Sequence, residues 1–356
     1  MRSLAVKYRP KKFSEVVSQD SVKQVLENQL ETEEFKNAYL FCGGAGTGKT
    51  TTARIVANEM NKGKGTPIEI DGASNNGVDN IRDIIEKCKS RSLDCKYKVF
   101  IIDEVHMLSI GAFNALLKTL EEPPAGAIFI LCTTDPQKIP STILSRVQRF
   151  DFKRIPLDMI VERHKYIIDK ENEEICDARA NEFCPGEAEQ LLIDYEDSAL
   201  QYIAKLADGG MRDSITMLDK VIGYSNHITL DNVIAALGAT DYSVYFDLLW
   251  NIVRAEPLKA INLITDAHQN GKDLKLFTRS FANFVVDVIK YKLSSDINLT
   301  TLPTIYENDL KRISETSEDY LLIVLENVNR LCQEIKWETN PKPLIEAEMI
   351  LLCQEH

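Results

Sequence analysis

Two short stretches hold residue types at spacings suited to phosphate chemistry. The first is Phe41-Cys42-Gly43-Gly44-Ala45-Gly46-Thr47-Gly48-Lys49-Thr50-Thr51, which fits the pattern G-x-x-x-x-G-K-[ST]. Gly43, Gly46 and Gly48 permit backbone turns that a side chain would forbid. Such a turn aims successive N–H groups at a di- or triphosphate, and the helix starting near Lys49 adds the positive end of its dipole. Lys49 would reach the β- and γ-phosphates, and Thr50 would offer its hydroxyl to Mg²⁺. The second stretch is Val99-Phe100-Ile101-Ile102-Asp103-Glu104. Its apolar run reads as a buried parallel strand, which delivers two carboxylates to the strand end where open α/β sheets bind ligands. Asp103 would hold Mg²⁺, and Glu104 would orient or deprotonate the attacking water. Read alone, the pair could simply cap the next helix; two motifs in the right order favour the catalytic reading.

The elements that must position these groups follow from the pattern around them. Ala38 to Phe41 reads as a strand and Thr51 to Met60 as a helix. A second strand is expected over Pro67 to Asp71, then a polar turn, Gly72 to Gly77, and an amphipathic helix from Val78 to Lys89 with Ile81, Ile84, Ile85 and Cys88 on one face. Ser109 to Glu122 reads as a helix stopped by Pro123-Pro124, Ile128 to Cys132 as another buried strand, and Gln148 to Lys153 as an alternating one. Strands and helices in this order predict an α/β domain: a parallel sheet flanked by helices. Ahead of it, Asp20 or Ser21 is the expected N-cap of a first helix. The arm before that helix carries Tyr8-Arg9-Pro10 and Phe13; from these residues alone it reads as tucked on the sheet, with packing on a nucleotide base as the alternative. Beyond Pro156 the pattern is helical. Asp158 to Asp169 and Asp197 to Asp208 flank an acidic segment, Lys170 to Glu196. Further helices are expected from Gly209 to Tyr224 and from Ile228 to Leu237, and from Asp241 to the end.

At 356 residues the chain should form two or three domains. It is 44% hydrophobic and 27% charged, as soluble globular proteins are, with no apolar run of membrane-spanning length and no signal-peptide core. Eight cysteines without a pairing rhythm fit reduced thiols in a cytoplasm. A net charge of −12 argues against a broadly basic, duplex-coating surface and leaves acidic faces for protein partners.

Several further motifs fall in order with the first two: Lys7-Tyr8-Arg9-Pro10, Ile68-Glu69-Ile70-Asp71, Asp103 to Leu108, Asn114 to Pro124, Thr133 to Lys138, Ser145-Arg146 and Met211-Arg212-Asp213. Together they resemble the gamma/tau ATPase subunits of the bacterial DNA polymerase III clamp loader, which are AAA+ proteins. The resemblance is dense over residues 4–155, moderate to about 240 and thin beyond. It implies an AAA+ nucleotide-binding domain over 1–155, a helical lid over 156–238 and a helical collar for oligomerisation over 239–356. It implies ATP and Mg²⁺ as ligands, with Tyr8, Arg9 and Val17 lining the adenine pocket. Thr134 would sense the γ-phosphate, and Arg212 would reach the phosphates in cis. Arg146 would act in trans as an arginine finger; read alone, it is an ordinary helix-end arginine. Other clamp-loader subunits in a pentamer, a ring-shaped sliding clamp and primer–template DNA are the implied partners. DNA contact would fall at helix starts near Ser74, Asn75, Asn76 and Ser109, where helix N-termini bind phosphate with little net positive charge. Ile110 stands where a basic residue would help. The clamp would face the helix at 78–89 and the loop after it.

This chain departs from the family in places. Only Asn61 to Thr66 stands where bacterial members carry a four-cysteine zinc module, and the spacings of Cys88 with Cys95 and of Cys176 with Cys184 do not suit a zinc knuckle. No zinc is therefore expected, and the thiols should be buried or free. Val147 replaces the usual cysteine after Arg146. The acidic segment looks like an insertion, and no tau-like extension follows the collar. A phage-encoded loader would look like this, as would a chain cut to three domains; the setting is a bacterial or infected-cell cytoplasm. The rival readings are a non-hydrolysing stator of the same assembly, another AAA+ DNA motor such as a branch-migration helicase, a protein remodeller, and a nucleotide-binding switch.

Overall fold

The computed structural model describes residues 3–89, 95–179, 192–238 and 242–354. They divide into two compact units: residues 1–192 with 207–219, and residues 193–206 with 220–356.

The first unit is built on a sheet of five parallel strands. These are β1 (Ala38–Gly43), β2 (Ile68–Asp71), β3 (Lys98–Asp103), β4 (Ala127–Thr133) and β5 (Gln148–Phe152), in the order β2-β3-β4-β1-β5. The burial pattern explains the order. Residues 38–42, 99–102 and 127–133 are buried without a break, as strands covered on both faces must be. β2 and β5 alternate, exposing Glu69, Asp71, Arg149 and Asp151, and these two form the edges. Helices α1 (Leu4–Lys7), α2 (Asp20–Thr32), α3 (Lys49–Met60), α4 (Val78–Lys89), α5 (Ile110–Glu121), α6 (Ser141–Leu144) and α7 (Leu157–Arg179) follow in chain order. Leu40, Phe100, Ile102, Phe129 and Leu131 pack on one face with Ile81 of α4 and Leu116 of α5. Tyr39, Phe41, Ile101, Ile130 and Phe152 pack on the other with Leu26 of α2 and Val56 of α3. Ser109 caps α5, its side chain accepting from the Ala112 N–H.

Some expectations change. The residue at the N-cap of α2 is Gln19, in left-handed conformation, and Asp20 is the first helical residue. Gln19 uses its amide elsewhere, donating to the Lys153 carbonyl at 2.7 Å and accepting from the Lys153 N–H at 3.0 Å, so it pins the chain beside β5. Helix α7 runs ten residues past Asp169, to Arg179, through the start of the acidic segment. Residues 180–191 of that segment, with Cys184, and residues 90–94 of the expected clamp-facing loop lie outside the described residues.

In the second unit, α8 (Asp197–Leu206) is preceded by β6 (Asp194–Tyr195). After α9 (Met211–Tyr224), within which the division between the units falls, β7 (His227–Ile228) pairs with β6 in parallel. Ile228 is thus in a strand, and Thr229 caps α10 (Leu230–Leu237). The remaining helices are α11 (Tyr242–Val253), α12 (Pro257–Gln269), α13 (Leu274–Ser294), α14 (Glu307–Ile313), α15 (Glu318–Glu334) and α16 (Lys342–Leu352). They surround one apolar cluster in which Phe277, Phe281, Phe284 and Val288 of α13 are buried. No described helix is long and apolar enough to cross a membrane.

Candidate active site

The floor of the site is the turn between β1 and α3. At Gly43 a Cβ would lie 2.4 Å from the Phe152 carbonyl oxygen, so β1 can run this close to β5 only without a side chain. Gly46 has φ +69°, a left-handed conformation glycine takes without strain, and its carbonyl accepts the Met211 N–H at 3.0 Å. Lys49, 6% exposed, donates from Nζ to the carbonyls of Gly43 at 2.8 Å and Gly44 at 2.7 Å. Burial lowers its pKa from the ordinary lysine range, and the carboxylates of Glu104 and Asp103 oppose that shift. Thr50 Oγ1 donates to Asp103 Oδ2 at 2.7 Å, which joins the two motifs.

The second motif is held by groups its local spacing does not reveal. Asp103 Oδ1 accepts the Glu104 N–H at 3.0 Å. Glu104 has φ +45°, a costly conformation for a residue with a side chain. Its Oε2 accepts from Thr134, from Oγ1 at 2.9 Å and from the N–H at 3.4 Å. Gly72 lies behind the turn, donating to the Asp103 carbonyl at 2.7 Å. A Cβ there would be 2.8 Å from the carbonyl oxygens of both Asp103 and Glu104.

A cleft of about 240 Å³ lies over this floor, lined by residues 45–51, Asp103 and Glu104. Tyr8, Arg9 and Val17 form part of its wall, while Phe13 and Val16 of the same arm are buried against the sheet. The arm is thus tucked on the sheet and also borders the cleft. Met211, Arg212 and Ile215 of α9 also face the cleft, as does Ile155. Helix α7 braces two of these walls. Arg163 donates to the Tyr8 carbonyl at 2.9 Å, and the Tyr8 hydroxyl donates to Glu171 at 2.6 Å. Burial and the Glu171 bond raise the Tyr8 hydroxyl's pKa, and burial lowers that of Arg163. The next residue, His164, is fully buried with Nε2 2.7 Å from Ser214 Oγ of α9. Burial pushes its pKa down to about 4. Gln19, Arg163, His164 and Glu171 were not legible as site residues; their partners are 50 to 163 positions away and no short motif links them.

Other expected site residues lie apart from the cleft. Arg146, just after α6, is not among the cleft's lining residues; its guanidinium is 2.7 Å from Glu121 Oε1 and donates to the Thr142 carbonyl at 2.7 Å. Ser74 and Asn75 are tied to Asp71, through Oδ2 at 2.6 Å and the carbonyl at 3.0 Å. The Ser109 N–H donates to the Asn76 carbonyl at 3.1 Å, which sets the starts of α4 and α5 side by side, and Ile110, the first residue of α5, is 80% exposed. Cys42, Cys88, Cys132 and Cys353 are buried and Cys176 is exposed. Among the described residues no group of His, Cys, Asp and Glu could itself hold a metal ion.

Residues 67–156 match the family model described as DNA polymerase III, delta subunit. Residues 187–227 match the DNA polymerase III clamp loader subunit, ATPase lid domain, and residues 228–354 match DNA polymerase III subunits gamma and tau domain III. The chain is 38% identical to DNA polymerase III subunit tau of Bacillus subtilis over 98% of its own length and 62% of that protein's. It is 33% identical to DNA polymerase III subunit gamma/tau of Mycoplasma genitalium over 82% of its length and 50% of that protein's. It thus spans between half and two thirds of these relatives. The fold is similar to that of the Thermotoga maritima RuvB Holliday junction branch migration motor, with a TM-score of 0.50, 22% identity, and coverage of 75% of this chain and 86% of that one.

Proposed function

This chain belongs to the gamma/tau family of DNA polymerase III clamp-loader subunits, and from that premise we propose that it is the ATPase subunit of a sliding-clamp loader. In this reading residues 1–155 form the AAA+ nucleotide-binding domain, 156–238 the lid and 239–356 the oligomerising collar. ATP binding in the assembled complex opens a ring clamp and grips primer–template DNA, and DNA-stimulated hydrolysis releases the clamp closed on the duplex. The work takes place in a cytoplasm, within a pentamer of related subunits.

The residues of the cleft fit a magnesium nucleotide. Lys49 brings a buried cation to a glycine-framed turn, and at Gly48 the space around a Cβ position is open for 4 Å. Residues 43–51, from Gly43 through Gly44, Ala45, Gly46, Thr47 and Gly48 to Thr51, cradle the phosphates with their N–H groups. Thr50 and Asp103 would hold Mg²⁺, which supplies charge neutralisation on the phosphate oxygens. Glu104 takes a proton from the attacking water. Thr134 holds the water and the γ-phosphate side of the site, and Arg212 contacts the phosphates in cis. Arg146 serves the neighbouring subunit's site, while Tyr8, Arg9 and Val17 pack on the base. Ser74, Asn75, Asn76 and Ser109 stand at the adjoining helix starts that would face DNA phosphates.

The observation that carries this reading is the 2.7 Å bond from Thr50 to Asp103 beside the buried Lys49. It brings the phosphate loop and the carboxylate pair together as metal-assisted phosphoryl transfer requires. The test is ATP turnover by the assembled complex, with its clamp and primed DNA, for wild type and Glu104→Gln. Turnover stimulated by DNA and lost in the variant, with ATP binding retained, is expected. Turnover indifferent to the substitution would instead make this chain a non-hydrolysing stator.

A further inference from the structure

His106 lies on the single turn Val105–Met107 that follows the carboxylate pair, with its side chain 11% exposed. It is not among the residues lining the cleft. Its Nδ1 is 3.2 Å from Glu104 Oε2 and 3.1 Å from Thr133 Oγ1. Thr133 is fully buried at the end of β4, and its Oγ1 accepts the Asp135 N–H at 3.0 Å. The same Glu104 oxygen accepts the Thr134 hydroxyl at 2.9 Å.

Nδ1 thus faces two oxygens, and the ring's tautomer sets which of them it serves. A bare Nδ1 would set its lone pair against a carboxylate oxygen 3.2 Å away. An Nδ1–H would instead be attracted by that carboxylate. The competing tautomer would take a hydrogen from Thr133 and leave the carboxylate without the ring's support. We propose that His106 is a positioning residue: its Nδ1–H, together with the Thr134 hydroxyl, holds Glu104 Oε2 and leaves Oε1 to the attacking water. The assignment rests on the reading of Glu104 as the base in the proposed ATPase. Thr134 can turn toward a bound γ-phosphate, whereas His106, being outside the cleft lining, acts only through Glu104. It is the hold on the base that persists when Thr134 lets go.

The test uses the assembled complex with clamp and primed DNA and compares wild type, Glu104→Gln, His106→Ala and His106→Asn. Asparagine can place an N–H close to the position of Nδ1. His106→Ala is expected to lower kcat about tenfold to a hundredfold, as misplacement of a reacting group does, with KM and ATP affinity unchanged. His106→Asn should recover most of the loss. In addition, ¹⁵N spectra of the histidine-labelled, nucleotide-free chain should show Nδ1 of His106 carrying hydrogen. An unprotonated Nδ1, or a kcat for His106→Ala within about twofold of wild type, would overturn the proposal. Turnover that survives Glu104→Gln would overturn the role of Glu104 itself, and the role of His106 with it.

Discussion

The guanidinium of Arg146 and the carboxylate of Glu121, the last residue of α5, form an ion pair at 2.7 Å. Both side chains are partly open to solvent, at 34% and 47%, so the pair adds little to stability. It does hold a cation at the end of α6, apart from the cleft lined by this chain's own phosphate loop. If Arg146 is the finger for a neighbouring site, Arg146→Ala should lower DNA-stimulated turnover of the complex by about 10³-fold or more. ATP binding and the thermal midpoint of the isolated chain should stay as in wild type. Lysine should not rescue, since it lacks the planar fork. Unchanged turnover in Arg146→Ala would remove the finger.

The bond between Thr50 and Asp103 makes a prediction about metal dependence. Asp103→Asn should raise the Mg²⁺ concentration for half-maximal turnover by about tenfold or more, as loss of a metal-site carboxylate does, while Lys49→Ala should weaken ATP binding itself. Titrations of turnover against Mg²⁺ and of binding against ATP separate the two effects. An identical Mg²⁺ curve for Asp103→Asn would place Asp103 outside the metal's shell.

Gly72 approaches the carbonyls of Asp103 and Glu104 too closely for any Cβ. Gly72→Ala should therefore destabilise the first unit by about 1–3 kcal/mol, the usual cost of overpacking. Because the displaced atoms belong to the carboxylate turn, kcat should fall as well, under conditions where the protein remains folded. Chemical denaturation and turnover measure the two effects; a variant unchanged in both would contradict the close approach.

His164 gives a pH dependence with a defined sign. Its folded pKa of about 4 lies below the unfolded value of 6.5, so the unfolded chain binds the proton first. Stability contributed by the neutral imidazole is full above pH 6.5 and declines as pH falls, until the folded form also protonates near pH 4. Between pH 7 and pH 5 the loss from this group should be about 2 kcal/mol. Denaturation midpoints for wild type and His164→Gln, taken across that range, should converge toward acid. Parallel curves would show that His164 titrates normally.

The parts of the site that were readable from the chain are those whose chemistry is local. The turn at Gly43 to Thr50 is one such part, because a phosphate cradle is made by consecutive N–H groups and needs glycine at particular steps. The Asp103-Glu104 pair is another, because an unbroken apolar run before it fixes a buried strand and hence where that strand ends. Ser109 was readable as a helix start for the same reason. The N-cap of α2 was misjudged by one residue because the obvious capping candidate, Asp20, loses to Gln19, whose amide is spoken for by Lys153. A strand at His227–Ile228 was missed since two residues carry no periodicity, and only pairing with Asp194–Tyr195 makes them a strand.

The order of motifs along the chain determined the family, the sheet and the identity of the phosphate loop. Tertiary structure alone decided who holds those groups in place: Thr134 and His106 on Glu104, Gly72 behind the turn, Arg163 and Glu171 on Tyr8, Ser214 on His164, Glu121 on Arg146. The reason is physical. A backbone turn or a buried strand is specified by neighbours in sequence, whereas most of these hydrogen bonds and close packings join segments far apart in the chain. Such partners meet only in the folded chain, and no spacing in the sequence records which atoms will lie together.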